Sequence, residues 1–208
     1  MDSSTRTTAF HDLLLRFSQE LGEGARKEIE QLLWNEYGAT ISILVVDMSG
    51  FARLTEEYGI VHYLSMVRRM QLTAGPICES YGGSIVKFEA DNVFARFDLP
   101  GSAIRAAMAL NLAMDSANLL TPEELDVRVS CGIDHGKCLI PHSSDFFGAA
   151  VNMASRLGED LGKPGQILVT EEAMTLVADS LGIKSEVEDV ELCGRNASVH
   201  SVQYRRCC

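Results

Sequence analysis

Two aspartates lie where a carboxylate needs a structural or chemical reason. Asp47 ends residues 40–47, a run with five apolar residues and one serine that predicts a strand buried on both faces. Asp91 lies at the tip of a hairpin predicted between residues 84–89 and 93–97. A carboxylate at the end of a buried strand is costly unless it is solvated, paired or bound to a metal. Two such carboxylates on adjacent strands could hold two divalent cations about 4 Å apart.

A tight turn into a helix follows Asp47. It contains Met48, Ser49, Gly50 and Phe51, and its glycine lets the backbone approach a ligand closely. The free N–H groups at a helix start suit phosphate oxygens. Taken singly, each aspartate has a simpler interpretation, because aspartate is also common as a helix N-cap and in hairpin turns.

Four more polar residues could contribute to a site. Lys87 lies inside the first strand of the hairpin, and Asp145 precedes two phenylalanines and a glycine. Asn152 and Arg156 are four residues apart on a predicted helix, so they share one face. Taken singly, these residues are a solvated strand lysine, a loop aspartate and a polar pair on a helix surface.

These residues need a scaffold of strands and helices in mixed order. Apolar runs and alternation predict strands at 40–47, 84–89, 93–97, 127–133, 137–140, 166–170, 185–192 and 198–205. Helical spacing predicts helices at 9–37, 56–81, 101–118, 149–160 and 171–178. His135 and Gly136 are interpreted as a turn between two strands. Because strict βαβ repetition is missing, the order predicts an α+β fold with one sheet and helices mostly on one face.

Two helical segments carry more specific expectations. Residues 9–37, interrupted at residues 22–24, are predicted as two helices or one bent helix. Their apolar side packs either on the core of the same chain or against a second copy, and the sequence favours neither. Within residues 56–81 the predicted inward residues are Ile60, Val61, Leu64, Val67 and Leu72.

Composition narrows the class of protein. The chain has 208 residues, 46% of them hydrophobic, which is enough for one domain with an appendage. Its net charge of -11 argues against nucleic acid and anionic lipid as partners, but an anionic small substrate is compatible if metal ions lie between. The sequence shows no signal peptide and no apolar run of about 18 residues, so no membrane span is expected. Six cysteines without a CxxC pair indicate reduced thiols and a cytoplasmic location.

Four motifs in order give these residues a common context. They are ILVVDMSGFARLT, GGSIVKFEADNVFARF, VSCGIDHGKCLI and DFFGAAVNMASRL. With this order and spacing, residues 40–204 resemble the catalytic domain of class III nucleotidyl cyclases, and within it the bacterial soluble adenylate cyclases. The resemblance implies a single mixed or antiparallel sheet of the ferredoxin-like type with helices mainly on one face. It also implies an N-terminal helical segment at 1–38 and a catalytic domain at 39–208.

The resemblance assigns the phosphate end of the site. Asp47 and Asp91 are similar to the two metal-binding aspartates, assisted by the Met48 carbonyl, and they imply two divalent cations, Mg²⁺ or Mn²⁺. The backbone amides of Ser49, Gly50 and Phe51 would hold phosphates. Arg195 is a looser match to a lysine that the family places near the triphosphate.

The resemblance also assigns the nucleoside end of the site. Lys87 and Asp145 occupy the positions that recognise the base, where lysine with aspartate accompanies adenine. An ammonium donates to ring N1 of adenine and a carboxylate accepts from its exocyclic amine, whereas guanine would mismatch both groups. Asn152 and Arg156 match the pair that orients the ribose and stabilises charge on the α-phosphate.

The implied activity is the conversion of ATP to 3′,5′-cyclic AMP and pyrophosphate at sites shared by a homodimer. Alternatives are a cyclase for another nucleotide, giving cyclic GMP, CMP or UMP, a nucleotide-sensing domain without catalysis, and a structural dimer partner. One departure concerns the hairpin tip, where Ala90, Asp91 and Asn92 replace the Gly-Asp-Gly that is usual in the family. Since the aspartate is kept, activity is expected with a stiffer turn.

Overall fold

The computed structural model describes residues 3–192 and 195–204. Its strands are β1 (Gly38–Met48), β2 (Ser84–Glu89), β3 (Asn92–Phe97), β4 (Val129–His142), β5 (Asp145–Phe147), β6 (Ile167–Thr170), β7 (Lys184–Leu192) and β8 (Arg195–Gln203). They form one sheet in the order β2-β3-β1-β4-β6-β8-β7, with β5 paired to β4. β4 and β6 are parallel, and the other described pairs are antiparallel.

Seven α-helices connect the described strands. They are α1 (Ser3–Gln19), α2 (Glu23–Tyr37), α3 (Phe51–Tyr58), α4 (Ile60–Ser80), α5 (Pro100–Asn118), α6 (Ala149–Ser155) and α7 (Glu171–Thr175). A π-helical turn, Arg156–Leu161, continues α6. The predicted α+β fold with a single mixed sheet is confirmed.

The two faces of the sheet bury different helices because the side chains of β1 alternate. Leu44, Val46 and Met48 pack with residues of α4 and α5, including Met66 and Leu110; this side is the α4–α5 face. Ile43 and Val45 point the other way and pack with Phe94, Ala150 and Ala154; this side is the α6 face. The larger core lies on the α4–α5 face, in agreement with the prediction that helices gather mainly on one side.

The predicted turn at His135 and Gly136 is wrong. β4 continues through both residues and pairs with β1 without interruption from Gly38↔Leu139 to Met48↔Val129. A Cβ atom at Gly136 would lie 3.2 Å from the Ala150 Cβ atom, so this glycine allows a close approach of α6 to the strand.

The predicted helix at 56–81 is two helices, and most of its predicted inward residues are wrong. Gly59, with φ of 84°, separates α3 from α4. Val67 is buried as expected, but four predicted inward residues are exposed, namely Ile60, Val61, Leu64 and Leu72. The buried residues of α4 are instead Tyr63, Met66, Val67, Met70, Ala74 and Cys78.

The N-terminal helices form a hairpin on the sheet of their own chain. Phe10 of α1 is 2% exposed, and its ring packs edge-on against Tyr37, with 5.0 Å between centroids. The same ring stacks on Phe147 of β5 at 6.1 Å. Leu139 of β4 completes this small core. The interpretation that the two helices pack on the same chain is therefore supported.

Within the described ranges, no helix is both long and apolar enough to cross a membrane. Cys78, Cys131 and Cys138 are free and buried, as expected for small core residues. Cys193, Cys207 and Cys208 lie outside the described residues.

Candidate active site

Asp47 is a half-buried carboxylate at the end of the central strand. It lies opposite Asn92 of β3 and Ser130 of β4. Burial, followed by the charges of Asp91 and Glu159, raises the pKa of Asp47 to about 7. Among the described residues, acidic side chains therefore lie together at this point, and none of the described ion pairs involves Asp47.

Asp91 lies in the turn of the β2–β3 hairpin. Because Glu89 pairs with Asn92, the turn consists of Ala90 and Asp91. Ala90 has φ of 50° and is the non-glycine residue with positive φ in the described chain. This left-handed conformation costs a residue with a Cβ atom about 1 kcal/mol, which explains why glycine suits the position.

Tyr63, which was not predicted from the sequence, contacts two of the three candidate metal ligands of this region, Met48 and Asp91. The Tyr63 hydroxyl donates to Asp91 Oδ2 at 2.6 Å and lies 3.3 Å from the Met48 carbonyl oxygen. Burial and the neighbouring Asp91 raise the pKa of Tyr63 above its ordinary value, so the hydroxyl keeps its proton. Its signal in the sequence is weak, because a tyrosine inside a helix is usually a core residue.

The oxygen atoms at this end of the site fit a hard cation. Two carboxylates and the Met48 carbonyl are the donor types that Mg²⁺ takes, together with water and substrate phosphates. In the described chain the Asn92 Oδ1 atom is buried without a hydrogen-bond partner, beside Asp47 in the cross-strand register. In the same part of the chain, no cluster of three or more His, Cys, Asp or Glu side chains could hold a metal alone. Water or substrate oxygens would therefore complete the coordination.

The turn after Asp47 has the geometry of a helix start. Gly50 adopts φ of 100° immediately before α3, a conformation that a residue with a side chain rarely takes. The Ser49 amide donates to the Arg128 carbonyl oxygen at 3.0 Å, so it is already used within the chain. The Gly50 and Phe51 amides lie at the start of α3, where helical N–H groups have no partner within the helix.

Lys87 and Asp145 are brought together, as the resemblance implies. Lys87 Nζ lies 3.4 Å from Asp145 Oδ1 and 2.9 Å from Glu89 Oε2. It also lies over the Phe94 ring, 5.1 Å from the centroid. The bond to Glu89 is the main reason that the pKa of Lys87 is raised, with Asp145 adding to it. Lys87 is therefore a charged donor held by two carboxylates.

A β-bulge gives Lys87 its direction. Ile85 pairs with Ala95, but the next described pair is Lys87 with Phe94, so Val86 is the extra residue. Val86 and Phe94 both belong to the core of the α6 face. Without the bulge, Lys87 would share the side of Ile85, which packs against the core of the α4–α5 face. The irregularity therefore turns the lysine toward Asp145.

Asp145 begins the three-residue strand β5. Its Oδ1 atom accepts a hydrogen bond from the Phe146 amide at 2.9 Å. Phe146 is buried against Phe94 of the sheet, while Phe147 stacks on Phe10 of the N-terminal hairpin. Both flanking rings thus hold the strand that carries this carboxylate.

Asn152 and Arg156 are exposed on the outer side of the α6 segment. Asn152 lies in α6, and Arg156 begins the π-helical turn. The opposite side of this segment presses on β4, since a Cβ atom at Gly132 would lie 2.0 Å from the Ala154 carbonyl oxygen. Single π turns inside helices occur frequently at functional sites. Arg195 begins β8, but its side chain lies outside the described part of the structure.

The structure thus brings together Asp47 with Asp91, and Lys87 with Asp145. Three residues near them were missed by sequence reasoning, namely Tyr63, Asn92 and Glu159. For Asn92 a signal existed, because an asparagine replaces the second glycine of the usual hairpin tip.

Comparison with known proteins gives independent evidence on the family. The family profile of the adenylate and guanylate cyclase catalytic domain matches residues 35–203. An adenylate cyclase of Streptomyces coelicolor is 29% identical over 137 residues, which are 66% of this chain and 34% of that protein. The chain spans about a fifth to a third of the length of the curated relatives it matches.

Solved structures share the fold. The crystal structure of an adenylate/guanylate cyclase/hydrolase from Silicibacter pomeroyi is 30% identical with a TM-score of 0.64, covering 79% of this chain and 96% of that one. The adenylyl cyclase CyaB from P. aeruginosa is 22% identical with a TM-score of 0.69, covering 81% of this chain and 96% of that chain. From the profile match over most of its length, the chain belongs to the adenylate and guanylate cyclase catalytic domain family.

Proposed function

We propose that the chain is an adenylate cyclase that converts ATP to 3′,5′-cyclic AMP and pyrophosphate. The observation that carries the choice of adenine is the contact between Lys87 and Asp145. The ammonium can donate to adenine N1 while the carboxylate accepts from the 6-amino group. Guanine presents a carbonyl and a protonated N1 at the same positions, which would leave both side chains unmatched.

In this proposal Asp47, Asp91 and the Met48 carbonyl hold divalent cations, Mg²⁺ or Mn²⁺. When bound, the cations would neutralise the phosphates and favour the ionised form of the ribose 3′-hydroxyl. The crowded negative charge around Asp47 supports this assignment, since burial and the charges of Asp91 and Glu159 raise the pKa of Asp47 to about 7, and a divalent cation beside it would favour the ionised form. The acidic chain could then bind an anionic substrate at this point.

The remaining proposed roles belong to side chains and amides. The Gly50 and Phe51 amides, with Arg195, hold phosphate oxygens, while the Ser49 amide supports the turn through Arg128. Asn152 and Arg156 orient the ribose and stabilise the charge that develops on the α-phosphate.

The proposed reaction is an in-line displacement. The 3′-oxygen attacks the α-phosphorus, its proton is released to solvent, and the bond to the β-phosphate oxygen breaks as pyrophosphate leaves. Since the chain supplies little covalent chemistry in such a step, positioning and electrostatics would contribute most of the rate.

The proposed working unit is a homodimer with two equivalent sites. One chain supplies Asp47 and Asp91, and its partner supplies Lys87, Asp145, Asn152 and Arg156; the two-fold symmetry then repeats the site. The exposure of Asn152 and Arg156 supports this arrangement, because both side chains are open to a second molecule. We further propose that residues 39–208 form the catalytic domain after a helical segment at 1–38, and that the domain works in the cytoplasm.

A substrate panel tests the activity. Purified protein is incubated with ATP, GTP, CTP and UTP, each with Mg²⁺ and with Mn²⁺, and the cyclic product is measured. ATP should be turned over fastest. If another triphosphate is preferred, the adenine argument fails, and tight ATP binding without product would favour a sensing domain.

Complementation tests the shared sites. Asp47→Ala and Asn152→Ala proteins should each be inactive, but an equimolar mixture should recover about a quarter of the parent activity, because half the dimers then hold one intact site. The matched control mixes Asp47→Ala with Asp91→Ala, which damage the same half of the site and should stay inactive. No recovery in the first mixture, with dimers still forming, would exclude shared sites.

A further inference from the structure

The Asp91 side chain lies on a turn that does little to orient it. Ala90 and Asp91 connect β2 to β3 outside the strand ladder, which ends at the pair of Glu89 with Asn92. A carboxylate at such a position has free rotamers unless another group holds it. A cation-binding carboxylate, however, works best when a neighbouring group fixes its direction.

Tyr63 can fix the direction of the Asp91 carboxylate, because its own ring is held by packing. It is 1% exposed on α4, and Phe51 packs edge-on against its ring with 5.0 Å between centroids. Its hydroxyl donates to Asp91 Oδ2 at 2.6 Å, a short bond to a charged acceptor. The ring is thus anchored in the core of the α4–α5 face, and its polar end reaches the hairpin tip.

The same hydroxyl also contacts the end of β1. It lies 3.3 Å from the Met48 carbonyl oxygen, the backbone atom next to Asp47. Through this side chain, the helix, the hairpin tip and the end of β1 meet at one atom. The bond uses one acceptor site of Asp91 Oδ2, and the remaining lone pairs of the carboxylate can bind a cation.

From these contacts we infer that Tyr63 is a positioning residue, which holds Asp91 in the orientation that binds a divalent cation. The inference rests on the proposed function in taking Asp47 and Asp91 as the cation-binding pair. It assigns Tyr63 no contact with the nucleotide.

The test is direct binding of Mn²⁺ to the whole, nucleotide-free chain, followed by the electron paramagnetic resonance signal of free Mn²⁺. Tyr63→Phe keeps the ring and removes the hydroxyl, and it should raise the dissociation constant about ten-fold, the usual cost of removing a group that orients a metal ligand. Tyr37→Phe is the matched control, because Tyr37 is 4% exposed and its hydroxyl donates to the Arg6 carbonyl at 3.2 Å, away from the aspartates. This control should bind Mn²⁺ as the parent does.

A double-mutant cycle separates positioning from a general loosening of the fold. Asp91→Asn should weaken Mn²⁺ binding strongly, and adding Tyr63→Phe to it should weaken binding by less than two-fold, because the residue to be positioned no longer acts as a charged ligand. An equal loss in both backgrounds would overturn the inference, as would unchanged or tighter binding by Tyr63→Phe. Absence of Mn²⁺ binding by the parent would overturn it too.

These outcomes are distinct from those of the proposed function. A parent that makes cyclic AMP while Tyr63→Phe binds Mn²⁺ normally would refute only the positioning role. A parent that makes no cyclic nucleotide, but loses Mn²⁺ affinity on Tyr63→Phe, would refute only the adenylate cyclase.

Discussion

The two charged clusters of the candidate site differ in how their charges are balanced. Around Lys87, one ammonium lies 2.9 Å from Glu89 and 3.4 Å from Asp145. Around Asp47, the neighbours are the acidic Asp91 and Glu159, and none of the ion pairs within the described ranges involves Asp47. The charges of the Lys87 cluster are thus paired within the chain, whereas the like charges of the aspartate cluster oppose one another.

Under the proposed function, this difference indicates what the binding of each ligand would involve. A base must replace contacts that already exist around Lys87, so its net gain is the difference between two sets of hydrogen bonds. A cation at the aspartates replaces repulsion with attraction and is opposed by no existing ion pair. The predictions below separate the two clusters, beginning with the largest effect.

Removing the Asp47 charge should have the largest effect. Asp47→Asn should lower the turnover of ATP at least 100-fold, because the cation loses a charged ligand where the reaction builds negative charge. Turnover is measured at saturating Mg²⁺ and ATP, with Asp115→Asn, an exposed aspartate on α5, as the control. Turnover within ten-fold of the parent would contradict the role of Asp47 as a metal ligand.

Removing the Lys87 charge should act on nucleotide binding. Lys87→Met should raise the KM for ATP about ten-fold or more, since a buried hydrogen bond from a charged donor contributes about 1.5–3 kcal/mol. The control is Lys184→Met, an exposed lysine on β7. Steady-state kinetics with ATP distinguish the two variants, and an unchanged KM for Lys87→Met would remove the argument for adenine.

The stability of the fold should depend on pH because of Asp47. Asp47 binds its proton more tightly in the folded chain, with a pKa of about 7 against 3.8, so the folded state loses stability as the pH rises from about 4 to 7. In metal-free buffer at pH 8, Asp47→Asn should therefore stabilise the fold by about 1–2 kcal/mol, allowing for screening of a half-buried charge. At pH 4, thermal melting should show the same stability for Asp47→Asn as for the parent. A stabilisation at pH 4 as large as that at pH 8 would refute charge on Asp47 as the cause.

Glu89 should limit affinity slightly, because it competes with the base for Lys87. Its side chain is 64% exposed, and exposed ion pairs contribute about 1 kcal/mol or less. Glu89→Gln should lower the KM for ATP by about two- to five-fold with kcat unchanged. Glu186→Gln, on the exposed strand β7, serves as the control in the same kinetic assay. A raised KM would instead make Glu89 a direct partner of the base.

Relief of the backbone strain at Ala90, in the hairpin turn, should have the smallest effect. Ala90→Gly removes the strain at φ of 50° but adds freedom to the unfolded chain, so the net gain should be about 0.5 kcal/mol. The same change at Ala113, inside α5, should cost about 1 kcal/mol. Denaturant unfolding measures the change in the free energy of unfolding for both variants. A loss of stability in Ala90→Gly would show that the turn is not strained.

Much of the scaffold could be predicted because its signals are local. The strand ending at Asp47, the hairpin around Asp91 and the helix 101–118 follow from apolar runs, turn residues and helical spacing. Gly136 was misinterpreted as a turn residue because a glycine that admits a neighbouring helix cannot be told from one that bends the chain. The buried side of α4 was wrong because apolar residues occur on two sides of it, and packing selected the side with Tyr63 and Met66.

The site was predicted less completely. The order of four motifs selected Asp47, Asp91, Lys87 and Asp145, and the structure brings them together in pairs. The hydroxyl of Tyr63 could not be found this way, because its contact with Asp91 depends on a separation of 28 residues along the chain. Nor could the direction of Lys87 be predicted, because regular alternation would place it on the other face of the sheet.

The bulge at Val86 has a consequence for how this chain can change over evolution. Deleting one residue between Ile85 and Lys87 would leave a regular strand that still pairs with β3, so the hairpin would survive. Lys87 would still pair with Phe94 and stay on the α6 face with Asp145, while the core of that face would lose the Val86 side chain. Deletion of Val86 is therefore a change by which descendants of this sequence could keep the hairpin and the direction of Lys87 while the core of the α6 face becomes smaller.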